Sequence, residues 1–323
     1  MVDGEAADGL RSVGGRMPVT VVHPVRPLAG LIGEDAVLER VADGCLWTEG
    51  PLWIPLRGVL RWSDIPANRI LEYAEALDEV TVYATDAEFP NGRALAPDGS
   101  VIQCSHGRRR VERDSGGTVT SIVDSWSGHR LNSPNDVVIA ADGAVWFTDP
   151  SYGITEPREG HPGEREYGDH WVFRYSVGEL RPAVLDVEEP NGLAFSPDGR
   201  ILYVADSSSV RKPEGVGNSW IRAYDVDRDG RCKNGRVFAR IEPGFPDGIA
   251  VDENGNVWSS SADGVIVFSP AGSELGRIAI PELVGNLCFG GADGRTLYVA
   301  ASTSIYRVRT LVRDGSPAGG GQG

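Results

Sequence analysis

The amino-acid sequence predicts an all-β fold: a six-bladed β-propeller with four-stranded blades and a ring closed by an N-terminal strand. Three observations support this prediction. A segment recurs six times at blade-sized intervals, each copy has strand-like periodicity, and long helical periodicity is absent. The recurring segment consists of a short apolar strand, a turn such as Pro-Asp-Gly, and a second strand, as in PNGLAFSPDGRILYVAD.

Aligning the six copies places one polar residue in the same position of each, just ahead of the first strand. The members of this polar column are Glu49, Asn91, Asn135, Asn191, Asp247 and Asn286. Successive members lie 42, 44, 56, 56 and 39 residues apart, intervals that are typical of propeller blades. The best-defined interval also contains two further alternating strands separated by turn residues, so a repeat supplies four strands.

The sixth copy ends early, because the chain reaches a glycine-rich tail before a fourth strand. An unpaired sheet edge is a liability, so we expect the strand-like segment at 35–44 to supply the missing strand and close the ring. The predicted organisation is a flexible segment at 1–20, a single propeller at 35–312 and a disordered tail at 313–323.

Composition argues against several classes of partner. The chain has 46 Asp and Glu against 31 Lys and Arg, a formal net charge of −15. We therefore expect neither nucleic acid nor an anionic membrane as a partner. No stretch approaches the roughly 18 apolar residues of a membrane span, and the first residues do not have the pattern of a signal peptide. Four well-separated cysteines predict reduced thiols in a cytoplasmic protein.

The first strand of every propeller blade lines the central axis, so the polar column should converge there on one face. For any single member the competing interpretation is turn chemistry, because Asn and Asp cap turns. That interpretation accounts poorly for Glu49, and it leaves the Glu49 and Asp247 carboxylates buried without a positive partner. A bound cation would compensate both charges. The all-oxygen donors fit Ca²⁺ best, with Mg²⁺ and Mn²⁺ as alternatives; Zn²⁺ fits less well because the column contains no His or Cys.

The loops that join second and third strands should lie on the same face as the column. The longest, at 149–170, predicts a lid or an oligomer contact, and a homo-oligomer would form through 154–170. Tyr152, near its start, is a candidate for lining the pocket. His106 lies in another of these loops, where it would orient substrate or shuttle a proton. The alternative for His106 is a loop histidine bonded to backbone.

The chain resembles the senescence-marker-protein, gluconolactonase and luciferin-regenerating-enzyme family, and within it the microbial gluconolactonase-like branch. The resemblance rests on an ordered set of segments, EGPLW, CSHGRRRV, LNSPNDVVIAADGAVWFTDPSYGI, PNGLAFSPDGRILYVADS and FPDGIAVDENGNVW. They cover roughly residues 40–308, and the set is specific although each piece alone is weak. The resemblance implies a six-bladed propeller with one divalent cation, usually calcium, on its axis.

The resemblance also implies roles for individual residues. Glu49, Asn191 and Asp247 would ligate the cation, and Asp247 would also be the general base. Asn135 would be a further ligand or a substrate contact. In the animal branch an Arg two residues before this Asn helps to hold substrate. Ser133 stands at that place here, so the sugar contacts of that branch do not transfer.

Together these inferences predict a divalent-metal-dependent lactonase, a carboxylic-ester hydrolase that opens a sugar lactone or a related small lactone. The metal would act as a Lewis acid, with Asp247 as general base or nucleophile. The substrate-binding residues would be Asn91, His106, Asn135 and Tyr152. The alternatives are a metal-assisted cyclase or isomerase, an organophosphate-type hydrolase on the same site, and a non-enzymatic binding propeller with a structural metal.

Overall fold

The structure is a computed structural model that describes residues 15–18, 21–22 and 28–317. Its strands form six antiparallel four-stranded blades arranged in a ring, which confirms the predicted fold. Strands such as Ile201–Asp206 combine β-branched and aromatic residues, which suit a pleated surface. The Pro-Asp-Gly turn before this strand ends at Gly199 with φ 68°, a conformation that glycine adopts without strain.

The first half of the chain forms blades I to III. The strands that precede blade I are β1 (Gly15–Pro18), β2 (Val21–Val22) and β3 (Val37–Ala42). Blade I consists of β4 (Thr48–Ile54), β5 (Val59–Asp64), β6 (Arg69–Ala74) and β7 (Glu79–Thr85). Blade II consists of β8 (Pro90–Leu95), β9 (Val101–Ser105), β10 (Arg110–Ser115) and β11 (Thr118–Val123). A small hairpin follows, formed by β12 (Ser125–Trp126) and β13 (His129–Arg130). Blade III consists of β14 (Val137–Ile139), β15 (Val145–Asp149), β16 (Trp171–Ser176) and β17 (Glu179–Val184).

The second half forms blades IV to VI. Blade IV consists of β18 (Pro190–Phe195), β19 (Ile201–Asp206), β20 (Trp220–Val226) and β21 (Cys232–Arg240). Blade V consists of β22 (Ile249–Val251), β23 (Val257–Ser260), β24 (Gly264–Phe268) and β25 (Glu274–Ala279), with β2 at its edge. Blade VI consists of β26 (Val284–Gly290), β27 (Thr296–Ala301), β28 (Ser304–Arg309) and then β3, with β1 at its edge. The helical elements are α1 (Tyr152–Thr155) and a 3₁₀ turn (Ser208–Arg211). No helix in the described ranges is long and apolar enough to cross a bilayer.

The ring closes as predicted, because β3 from the N-terminal side completes blade VI. It pairs antiparallel with β28, in a register that places Leu38 opposite Val308. Arg307 and Glu39 form an ion pair across the same junction, with Nε and Oε2 at 2.6 Å. This pairing covers the edge that β28 would otherwise expose.

The two chain ends remain partly outside the described residues. Residues 1–14 and 318–323 are not described, so the predictions of a flexible segment at 1–20 and a disordered tail at 313–323 stay predictions. Within the described part, β1 pairs with β3. At the other end, Gly315 donates its N–H to Val251 O at 2.9 Å, which holds this part of the tail beside blade V.

The hydrophobic core lies in layers between neighbouring blades. Trp146 of blade III meets Phe195 of blade IV edge to face, with ring centroids 5.4 Å apart. Trp258 of blade V meets Phe289 of blade VI in the same way at 5.5 Å. Burying each such ring contributes roughly 2 kcal/mol or more. These contacts fix the spacing of the blades and therefore the positions of the innermost strands.

Candidate active site

The polar column predicted from the repeats gathers around one cavity. Glu49, Asn91, Asn191 and Asn286 lie within β4, β8, β18 and β26, whereas Asn135 and Asp247 lie just before β14 and β22. Five members line a cavity of about 330 Å³, namely Glu49, Asn91, Asn135, Asn191 and Asp247. The sixth, Asn286, donates from Nδ2 to Glu49 Oε2 at 3.0 Å. The blades therefore bring the whole column together, as the repeat alignment predicted.

Glycines beside the column allow the innermost strands to approach this closely. A Cβ on Gly192 would lie 2.9 Å from Gly248 Cα and closer still to Asp247 O. A Cβ on Gly248 would lie 2.6 Å from Asn286 Cα. The same approach forms hydrogen bonds between blades, as from Gly192 N to Asp247 O at 2.9 Å. Neither glycine has a positive φ, so these Asn-Gly and Asp-Gly pairs reflect close contact at the axis and not a turn conformation.

Two of the carboxylates that line the cavity, Glu49 and Asp247, belong to the polar column. Burial raises the pKa of Glu49, although hydrogen bonds from the Asn286 side chain and the Gly50 N–H oppose the rise. Burial, followed by the negative charge of Glu49, raises the pKa of Asp247 well above its usual range. In the described part of the chain, neither carboxylate forms an ion pair with Lys, Arg or His. Two acidic groups are thus held close together in a site that disfavours their charge.

This set of donors fits a hard divalent cation. Within the described ranges there is no group of three His, Cys, Asp or Glu side chains that could hold a metal ion. A cation here would depend instead on the Glu49 and Asp247 carboxylates and on the amide oxygens of Asn135 and Asn191, all of which line the cavity. Oxygen donors with two negative charges suit Ca²⁺, Mg²⁺ or Mn²⁺. Such a cation would relieve both the burial of these charges and the repulsion from Glu49, which together raise the pKa of Asp247.

The long loop between β15 and β16 forms part of the cavity wall. Tyr152 of α1 lines the cavity, together with Glu156, Arg158 and Glu159 from the loop that follows. The Tyr152 ring lies under the Arg211 guanidinium, with the carbon of that group 4.2 Å from the ring centroid. The Tyr152 hydroxyl is buried and has no hydrogen-bond partner in the described structure. A buried hydroxyl without a partner is uncommon in a folded protein and calls for an explanation.

Apolar side chains complete the cavity. They are Leu46, Trp47, Ile65, Pro66, Val210 and Phe245. A concave site that combines an apolar lining with a few convergent polar groups is typical of small-molecule binding.

His106 lies behind the cavity wall and does not line it. The side chain is fully buried. Its Nε2 lies 3.1 Å from Asn91 Nδ2, and its Nδ1 lies 3.0 Å from the backbone oxygen of Glu159. The contact with Glu159 O matches the alternative interpretation of His106 as a loop histidine bonded to backbone. The other contact connects His106 to a residue that does line the cavity.

Sequence reasoning did not single out the apolar lining residues or three charged ones, Glu156, Arg158 and Glu159. Charged residues in a long loop are usually solvated, and nothing in their spacing distinguishes these from their neighbours. Their position follows from anchors elsewhere in the loop: Arg109 donates to the backbone oxygen of Glu164 at 3.1 Å. The only available signal was the length of the loop, which predicted a lid or an oligomer contact.

The fold and the cavity define a propeller with a small-molecule site on its axis. Residues 47–303 match the family described as the SMP-30/Gluconolactonase/LRE-like region. The chain therefore belongs to this family, and the resemblance inferred from its motifs is confirmed.

Similar proteins of this family are known from several organisms. The gluconolactonase of Zymomonas mobilis subsp. mobilis is 32% identical over 308 residues, which cover 88% of this chain and 84% of that protein. The pentonolactonase of Haloferax volcanii is 29% identical over 278 residues, covering 81% of this chain and 84% of that protein. The solved structure of a gluconolactonase from Xanthomonas campestris has a TM-score of 0.82 and 36% identity, covering 95% of this chain and 98% of that chain.

Proposed function

We propose that this protein is a divalent-metal-dependent lactonase that opens a sugar lactone or a related small lactone. The observation that carries the proposal is the axial cavity, where the unneutralised carboxylates of Glu49 and Asp247 lie among amide side chains. The predicted enzyme class, a lactonase, is confirmed by relatives that match most of the chain and are named as lactonases.

A cation held by Glu49, Asn191 and Asp247 would supply Lewis-acid polarisation of the lactone carbonyl. Asp247 then acts as general base and accepts a proton from the attacking water. The water oxygen bonds to the carbonyl carbon, the ring C–O bond breaks, and the proton passes to the departing ring oxygen. The product is the open hydroxy acid. The position of Asp247 in the cavity, beside the other column residues, supports this role.

Other cavity residues bind and orient the ring. The unpaired Tyr152 hydroxyl and the Asn135 amide offer hydrogen bonds to lactone oxygens. Trp47 and Phe245 contribute apolar surface that contacts the carbon face of the ring and excludes bulk water. These contacts favour a small lactone that carries several hydroxyl groups.

Two further predictions belong to this proposal. The four cysteines are unpaired thiols, which supports a cytoplasmic location. A homo-oligomer through 154–170 stays a prediction, which size-exclusion chromatography with light scattering would test.

The decisive experiment combines Asp247→Asn with metal removal in a pH-indicator assay on glucono-δ-lactone. We expect Asp247→Asn to lower kcat by at least about 100-fold, with an unchanged far-UV circular dichroism spectrum. We expect a chelator to abolish activity, and titration with Ca²⁺, Mg²⁺, Mn²⁺ or Zn²⁺ to identify the ions that restore it. Asp263→Asn is the matched control, because this exposed Asp also precedes a glycine but does not line the cavity.

Full activity of Asp247→Asn would refute the role of this carboxylate. Full activity after chelation would refute metal dependence. A single turnover in ¹⁸O water separates the general base from the nucleophile, since only a nucleophilic Asp247 would retain ¹⁸O in its own carboxylate.

A further inference from the structure

The His106 ring is held at two points, and the His106 side chain is closely packed. It is fully buried, and the chain packs against it so closely that a Cβ on Gly153 would lie 2.5 Å from His106 Cβ and 2.7 Å from its Cγ. One ring nitrogen faces the backbone of the long loop, at Glu159 O, and the other faces Asn91. His106 therefore connects the loop wall to the column residue of blade II.

The backbone contact determines which ring nitrogen carries the proton. A carbonyl oxygen can only accept, so Nδ1 must donate to Glu159 O. Burial, aided by the Arg211 charge, lowers the pKa of His106 to about 4, so the ring carries no second proton at neutral pH. Nε2 is consequently an unprotonated acceptor.

The tautomer in turn determines the orientation of the Asn91 amide. An unprotonated Nε2 needs a donor, and the Asn91 nitrogen Nδ2 supplies it at 3.1 Å. The opposite orientation would place two acceptors, Nε2 and Oδ1, against each other at that distance. Asn91 lines the cavity. Because Nδ2 is directed at His106, Oδ1 is the amide atom that faces the cavity, where it can accept a hydrogen bond.

We propose that His106 is a positioning residue that keeps Asn91 Oδ1 turned toward the cavity, where Oδ1 accepts a hydrogen bond from a hydroxyl group of the substrate. The assignment of a hydroxylated substrate rests on the proposed lactonase function. The arrangement of His106 and Asn91 does not. His106 itself touches neither the lactone nor the reacting atoms.

Two variants separate the two contacts of His106. His106→Asn keeps a donor near the Nδ1 position, for Glu159 O, but has no atom near the Nε2 position. His106→Gln reaches the Nε2 position and can still accept from Asn91. The control is His161→Gln, because His161 is an exposed loop residue that also contacts the chain just before β8, through Glu88 Oε2 at 3.0 Å.

We expect His106→Asn to raise KM for glucono-δ-lactone roughly three- to tenfold with kcat little changed, the effect of losing one positioned hydrogen bond. His106→Gln should lie nearer to the wild type, and His161→Gln should leave KM unchanged. A series of lactones that each lack one hydroxyl group provides the second comparison. The lactone that lacks the hydroxyl bound by Asn91 should show no further rise in KM with His106→Asn.

A direct measurement on the wild-type protein needs neither a variant nor a substrate. Imidazole ¹⁵N NMR shifts, assigned through bonds to the ring protons of His106, should show a protonated Nδ1 and a bare Nε2 at neutral pH. A protonated Nε2 would overturn the proposal. Equal rises in KM for every lactone, or for His106→Asn and His106→Gln alike, would overturn it as well. If NMR shows the predicted tautomer but the protein has no lactonase activity, the proposed function is refuted and the inferred orientation of Asn91 still holds.

Discussion

Replacing Gly192 by alanine should force blades IV and V apart at the cavity. The added Cβ would lie 2.9 Å from Gly248 Cα and closer still to Asp247 O, whereas ordinary van der Waals contacts begin at 3.4 Å. The facing strand must therefore retreat by about 1 Å. The φ of Gly192 is not positive, so alanine introduces no backbone strain and the effect isolates the contact between blades.

Two costs add to give the expected magnitude. Overpacking of this kind costs typically about 1–3 kcal/mol. The hydrogen bond from Gly192 N to Asp247 O, now 2.9 Å, would stretch and leave a buried donor and acceptor, at about another 1–3 kcal/mol. We expect the free energy of unfolding to fall by about 3 kcal/mol or more, and Tm to fall by roughly 4 °C or more. Because Asp247 moves with its backbone, kcat/KM should fall about 100-fold.

Thermal and urea unfolding followed by circular dichroism measure the stability, and the lactone assay measures kcat/KM. Gly168→Ala is the control, since its Cβ would meet nothing closer than a Trp171 ring atom at 3.5 Å and its φ is not positive. The control should match the wild type in both measurements. If Gly192→Ala also matched the wild type in Tm and kcat/KM, the inference that close contact at the axis positions Asp247 would be refuted.

Two further predictions concern Tyr152 and Asp149. Tyr152→Phe removes a hydroxyl without a protein partner, so the free energy of unfolding should hardly change, while KM for the lactone should rise roughly three- to tenfold; an unchanged KM in the pH-indicator assay would exclude this hydroxyl from substrate binding. Burial raises the pKa of Asp149 from 3.8 to about 6, so the stability this group contributes is complete below pH 3.8 and is lost as pH rises through 6. As pH rises from about 4 to 7, the wild type should therefore lose about 3 kcal/mol in free energy of unfolding relative to Asp149→Asn. Urea titrations at several pH values measure this difference, and a difference that does not change with pH would contradict the prediction.

The fold was predictable because its signals are local and repeated. Apolar alternation and turn residues within each copy predict strands without any knowledge of the partner blade. Closure of the ring was also predictable, since a sixth blade with three strands leaves an edge that the segment at 35–44 can cover. The pairing of β3 with β28 confirms this inference.

The candidate site was predictable only in part. The alignment placed Glu49 and Asp247 in one column, and the ring brings both to the same cavity. The direction of a loop side chain has no such repeat to constrain it. His106 follows a strand on the correct face, yet close packing against Gly153 and the bond to Glu159 O place it behind Asn91.

The sequence by itself determined the propeller, the number of blades and the identity of the six polar residues at the axis, because period and strand pattern are properties of the chain. Only the tertiary structure decided the distance between neighbouring blades. That distance explains why glycine stands at 192 and 248, where any Cβ would collide with the next blade. It also decided which parts of the long loop reach the cavity and how the Asn91 amide is turned, because both depend on contacts between residues far apart in the chain.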